Sequence, residues 1–179
     1  HGTADSTADA SMVVQGRPDD APFVRIDSGR REASPEAVES LVEALETPRG
    51  VIIAGPSNGC ARLRSGVLAL AEVTGFPVLA DPLSGVRYGP ALDAHVVAGF
   101  DLFLRDEEVR SVLGPSMILR VGASPTSASL QKWMAQHNGV RHIVVDGGGR
   151  WKDHGAGATD YIHADAADTL DAVAELVAP

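Results

Sequence analysis

The chain has 179 residues, of which 44% are hydrophobic and 22% charged, a composition that supports one sizeable core and leaves little room for a second domain. Its 15 Lys and Arg against 24 Asp and Glu give a net charge of -9, which excludes the dense basic face that nucleic-acid binding requires. No apolar run approaches the ~18 residues of a membrane-spanning helix, so no membrane partner is expected either.

Residues 1–22 carry Ser, Thr, Asp and Gly without apolar periodicity and read as a linker or flexible arm, leaving 23–179 as a single α/β domain. The opening at His1 has neither a basic nor an apolar leader-like stretch, so the expectation is a piece of a larger cytoplasmic enzyme. Phe23, Val24 and Ile26 predict a short extended segment. Ser34 and Pro35 supply an N-cap and a first helical position, and Ala37, Val38, Leu41, Val42 and Leu45 recur at helical spacing until Thr47–Gly50 stop the helix. Val51–Ala54 is a short continuous apolar run closed by Gly55 and Pro56, the pattern of a strand buried on both faces.

The alternation then repeats. A helix is predicted from about 59 to 74, ended by Gly75, and Pro77–Ala80 follows as a strand, completing a βαβ unit. The single cysteine, Cys60, excludes an internal disulfide, fits a reducing compartment and reads most simply as a small buried residue. Residues 81–112 fit the alternation least well, with a moderate helix signal over 105–113 and a long loop before it. Beyond them come a strand over 117–121, a helix over 126–137, strands over 143–145 and 161–163, and a closing helix over 168–177. This order predicts a three-layer, doubly wound, mostly parallel sheet of about five or six strands.

Three turns could carry chemistry. The segment 54–59 follows a strand and opens a helix, where backbone N–H groups can hold an anion, but it matches neither G-x-G-x-x-G nor G-x-x-x-x-G-K-[ST]. Gly122–Ser129 also links strand to helix and offers four hydroxyls, one of which is expected to cap while the others can face a carboxylate ligand. Asp146–Gly155 combines three consecutive glycines, two cations and Trp151, and reads equally as a surface loop or a ligand site. No metal site is predicted, because Asp153 and His154 lack a second cluster at ligand spacing, and no nucleophile elbow or triad is present. Thirteen of the basic residues are Arg and only Lys132 and Lys152 are Lys, which together with abundant Asp and Ala suggests a salt-loving source.

Two longer tracts carry a resemblance. Thr74–Ser84 reads T-G-x-P-x-x-x-D-x-L-S, and Gly122–Trp133 reads G-x-x-x-T-S-x-x-L-x-x-W. With GVIIAGPSNG before them and IVVDGGGRWKD after, they make residues 35–178 resemble the central domain of the menaquinone-biosynthesis synthases (the MenD family), thiamine-diphosphate enzymes with a Rossmann-like central domain. The resemblance implies a transferase of three domains. The N-terminal one supplies the cofactor-activating Glu, and the C-terminal one holds thiamine diphosphate and Mg2+ through a G-D-G…N motif that this chain lacks. It implies no cofactor, metal or catalytic residue in this domain, N- and C-terminal domains of the same polypeptide and a homo-oligomer as partners, and no turnover by the domain alone. In the reaction implied for the whole enzyme, 2-oxoglutarate is decarboxylated and the product is added to isochorismate.

The resemblance also points to Thr126, Ser127, Ser129 and Lys132 as candidate substrate-binding residues. Relatives usually carry Lys where this chain has Ala128, and Lys132, one helical turn later, is placed to compensate. Two alternatives stay open: the central domain of another thiamine enzyme of the acetolactate synthase type, binding FAD or ADP, and a stand-alone nucleotide-binding regulatory module.

Overall fold

The computed structural model describes residues 22–26, 29–57, 61–89, 94–149, 151, 153 and 155–177. In chain order the elements are α1 (Pro35–Leu45), β1 (Gly50–Ala54), α2 (Ala61–Thr74), β2 (Val78–Ala80), α3 (Phe100–Phe103), α4 (Glu107–Val112), β3 (Met117–Val121), α5 (Ala128–Gln136), β4 (Arg141–Val145), β5 (Asp160–Ile162) and α6 (Ala166–Val177). The five strands form one sheet in the order β2-β1-β3-β4-β5, and every pairing is parallel.

Strand alternation divides the interior into two cores. Ile52, Ala54, Leu119, Val121, Ile143 and Val145 point to the face covered by α1, α2 and α6. Val51, Ile53 and Ile118 point to the other, where they meet Phe100, Leu104, Leu130 and Trp133. The result is the three-layer doubly wound sheet expected from the sequence.

Helix ends follow the local chemistry. Ser34 caps α1 by accepting from the Ala37 N–H at 3.3 Å, with Pro35 in the first turn. Gly75 takes φ +69° and bonds back to Ala71 O at 2.8 Å, closing α2, while the Thr74 hydroxyl donates to Leu70 O and accepts from the Phe76 N–H. The chain differs from expectation in two places. Phe23, Val24 and Ile26 are 61–79% exposed and join no strand, because no neighbouring strand offers them a ladder. The helix predicted over 105–113 is present as α4, begun at Asp106, which turns to the extended conformation and caps it through the Glu108 and Val109 N–H groups, whereas the short helix α3 before it was not expected.

Beyond β4 the second layer thins. The connection from β4 to β5 runs through residues 146–159 without a helix among the described residues, and α6 lies on the opposite face. On the thin side, α5 and this crossover flank the ends of β3 and β4.

Candidate functional site

Doubly wound sheets bind ligands where the strand order reverses, here between the carboxyl ends of β1 and β3. That crevice is laced shut by backbone. Gly55 N–H donates to Val121 O, Ala123 N–H to Pro56 O and Gly122 N–H to Val145 O, each at 2.9 Å. Both glycines are required: a Cβ at Gly55 would strike the Ala123 carbonyl, and Gly122 sits at φ +81° with the Pro56 oxygen 2.8 Å from where its Cβ would be. Ser57 gives its N–H to Leu83 O and its hydroxyl to Ser84 O. The described part of the 54–59 turn therefore spends its N–H groups on protein carbonyls; 58–60, including Cys60, lie outside the described residues. The recess beside it, about 700 Å3, is lined by Asp146 and Asp165, with Asp146 Oδ2 buried and without a hydrogen-bond partner among the described residues. Carboxylates there oppose a polyphosphate.

The start of α5 is organised by two carboxylates. Asp81 is fully buried at the end of β2. Its Oδ2 accepts from both the N–H and the hydroxyl of Thr126 at 2.7 Å, and its Oδ1 accepts from Leu83 N–H at 2.8 Å. Ser84 donates its hydroxyl to Asp81 O. These contacts give a physical meaning to the D-x-L-S tract: it clamps the loop after β3 to the end of β2. Ser127 caps α5 by accepting from Leu130 N–H at 3.1 Å and donates to Asp101 Oδ1 at 2.6 Å. That bond, then Arg105 at 2.7 Å and the Ser129 hydroxyl, hold the Asp101 carboxyl below its ordinary range. Thr126 and Ser127 thus serve the clamp, Ser129 faces Asp101, and the helix dipole is already met by acidic side chains.

Further along, α5 separates two environments. Trp133 is 4% exposed and donates its indole N–H to Leu113 O at 2.7 Å. On the other side Ala128 and Lys132 line a cavity of about 340 Å3 that reaches His142, Asp153, Gly155 and Gly157. Lys132 is exposed and has no hydrogen-bond or ion-pair partner among the described residues.

The cavity's inner end holds charges that sequence reading did not bring together. Arg120 on β3 is 0% exposed and binds Asp153 Oδ1 at 3.1 Å; Asp153 Oδ2 accepts from Ala158 N–H at 2.8 Å. Burial pushes the Asp153 carboxyl up, but the Ala158 hydrogen bond and the Arg120 charge more than offset it, so it ionises below its ordinary range. His142, beside Ile118 in register, is 4% exposed, and burial followed by the Arg120 charge lowers its pKa to about 4. Arg120 within the apolar run MILRV was the available signal, since a central-strand arginine needs a buried anion. Among the described residues no group of three His, Cys, Asp or Glu is placed to hold a metal. Nearby, Trp151 is 68% exposed and stacks on Tyr161 at 5.7 Å.

The geometry has counterparts. The family model describing the middle domain of thiamine pyrophosphate enzymes matches residues 15–176. A 2-succinyl-5-enolpyruvyl-6-hydroxy-3-cyclohexene-1-carboxylate synthase of Halobacterium salinarum is 42% identical over 169 residues, covering 93% of this chain and 28% of the relative. The synthase of the same name from Natronomonas pharaonis is 38% identical over 168 residues, with 93% and 28% covered. That of Chloroflexus aurantiacus is 40% identical over 144 residues, with 79% and 24% covered. A solved thiamin diphosphate-dependent enzyme isolated from Mycobacterium smegmatis superposes with TM-score 0.56 at 18% identity, over 86% of this chain and 30% of that one, and so shares the fold. The chain spans less than a third of the length of each.

Proposed function

The chain belongs to the middle-domain family of thiamine pyrophosphate enzymes, and from that premise we propose that it is the central domain of a 2-succinyl-5-enolpyruvyl-6-hydroxy-3-cyclohexene-1-carboxylate synthase. The observation that carries this reading is identity of 42% across 93% of the chain with a relative of that name, of which it spans 28%. In this reading the complete cytoplasmic polypeptide, a homo-oligomer, joins decarboxylated 2-oxoglutarate to isochorismate, and N- and C-terminal domains supply the catalytic machinery. The thiamine diphosphate and Mg2+ belong to those domains. The described residues of this chain do not fit them: carboxylates line the switch-point recess where a diphosphate would lie, and no three metal-ligating side chains converge.

The domain's part is to build one wall of the substrate pocket. The Asp81–Thr126 and Asp101–Ser127 contacts fix the start of α5, and Lys132, an ammonium without a partner among the described residues and in the same cavity as Ala128, supplies the cation for a substrate carboxylate. A charge-assisted contact of this kind contributes roughly 1.5–3 kcal/mol. In the full-length enzyme Lys132→Ala is therefore expected to raise KM about tenfold or more for isochorismate or for 2-oxoglutarate, with folding unchanged. Unaltered kinetics would remove Lys132 from the pocket. Tight binding of FAD or ADP to the chain would instead favour an acetolactate synthase type of central domain or a nucleotide-binding module.

A further inference from the structure

The two ends of the sheet present different surfaces. The carboxyl ends of the strands meet the polar turns of the candidate site, whereas the amino ends meet an apolar groove of about 320 Å3. Pro48, Phe76, Pro77, Phe103, Leu113 and Pro115 are among the residues that line it, drawn from the start of β1, the turn after α2, and α3 and α4 with the loop that follows. Arg49 is the one charged side chain among the described lining residues. Phe103 and Leu113 are exposed, and so are Leu102 and Val112 beside them in sequence. Single exposed apolar side chains are ordinary on a protein surface, but several gathered along one groove mark a surface that is covered in the working molecule.

The groove is preformed. Trp133 and Phe76 line it while only 4% and 3% exposed, and Ser116 N–H donates to Arg49 O at 2.8 Å, tying the segment after α4 to the segment before β1. A small-molecule site is a poor fit here. Doubly wound sheets take their ligands at the carboxyl ends of the strands, and the Trp133 N–H, which could orient a ligand, is spent on Leu113 O.

The course of the chain supplies the occupant. Helix α6 runs antiparallel to the strands: Ala166 and Ala167 line the recess at the carboxyl ends, while Leu176 and Val177 line a second recess of about 530 Å3 at the amino ends, with Val42, Leu45, Pro48 and Val73. Pro48 lines this recess and the groove alike, so α6 delivers the chain to the mouth of the groove. The chain covers 28% of the Halobacterium salinarum relative, and in the reading proposed above a C-terminal domain follows it.

We propose that the apolar groove at the amino ends of β1, β2 and β3 seats the segment of the complete polypeptide that follows Pro179, which crosses Pro48 and lays apolar side chains between Phe76, Phe103 and Leu113. The proposal rests on the reading of this chain as a central domain with a further domain after it. Seating that segment buries the exposed apolar side chains and fixes the direction in which the next domain leaves.

Photo-crosslinking of the complete polypeptide tests this. Phe103→p-benzoylphenylalanine keeps the aromatic ring and adds a benzophenone in the groove; Val112→p-benzoylphenylalanine, at a position 72% exposed in this chain, serves if the first variant fails to fold. After irradiation and digestion, the cross-linked peptide is expected to come from the sequence that follows residue 179 of the same subunit. A cross-link to sequence preceding residue 1, one that joins two subunits, or no cross-link within the protein overturns the proposal. The cross-link is read without reference to turnover, so the two readings fail separately. A polypeptide that makes acetolactate but cross-links as expected removes the earlier reading and leaves this one, and a working synthase cross-linked elsewhere does the reverse.

Discussion

Replacing Asp153 by Ala removes the carboxylate bonded to Arg120 and takes the acceptor from Ala158 N–H, in a place where both charged side chains are 0–2% exposed. A surface pair would lose about 0–1 kcal/mol, but stranding one partner of a buried pair costs roughly 3–5 kcal/mol, because the remaining charge stays desolvated. For a domain of this size each kcal/mol moves the unfolding midpoint by about 2–4 °C, so Asp153→Ala is expected to lower Tm by roughly 6–20 °C. Asp171→Ala is the internal control, since it breaks the Arg62 pair at 2.8 Å where the side chains are 49% and 48% exposed. Urea titration followed by circular dichroism measures both. A loss under about 1 kcal/mol at Asp153, or equal losses at the two sites, would refute the view that the Arg120 pair is a buried anchor holding the crossover over β3 and β4.

Further outcomes follow from charge. His142 is held neutral, its pKa lowered from 6.5 to about 4, so the unfolded chain takes up its proton first on acidification; stability is full above 6.5 and falls by roughly 3 kcal/mol as pH drops toward 4. Asp153 contributes only below its ordinary 3.8, so the slope between 6.5 and 4 should largely vanish in His142→Gln, and persistence of the slope would assign it elsewhere. A net charge of -9 predicts that Tm rises between ~0.01 M and ~1 M KCl, as the screening length contracts from about 30 Å to about 3 Å, and a flat midpoint would count against self-repulsion as a cost to the fold.

The sheet was legible because its strands advertise themselves: Val51–Ala54 is an unbroken apolar run, and Met117–Val121 is apolar apart from Arg120, as strands buried on both faces tend to be. The Ser34–Pro35 cap was equally readable, being set by the residues beside it, and a hydroxyl cap was expected among 122–129, where Ser127 takes that place. The candidate site was less so. Thr126 and Ser127 stood out as hydroxyls at a helix start, yet their partners Asp81 and Asp101 lie 45 and 26 residues away, and nothing local records that pairing. The same holds for Arg120 and Asp153, 33 residues apart, and for His142, whose burial comes from the crossover rather than from its own strand pattern. Lys132 was singled out by helical spacing, and the structure places it beside Ala128 in one cavity.

The claim that this chain is the central domain of a synthase using 2-oxoglutarate and isochorismate is tested most directly by turnover of the complete polypeptide that carries it. Supplied with both substrates, thiamine diphosphate and Mg2+, that polypeptide should release CO2 only when 2-oxoglutarate is present and form the succinyl adduct of isochorismate, while the chain of 179 residues alone does neither. Formation of acetolactate from pyruvate by the complete polypeptide, or CO2 release from 2-oxoglutarate by the isolated chain, would contradict it.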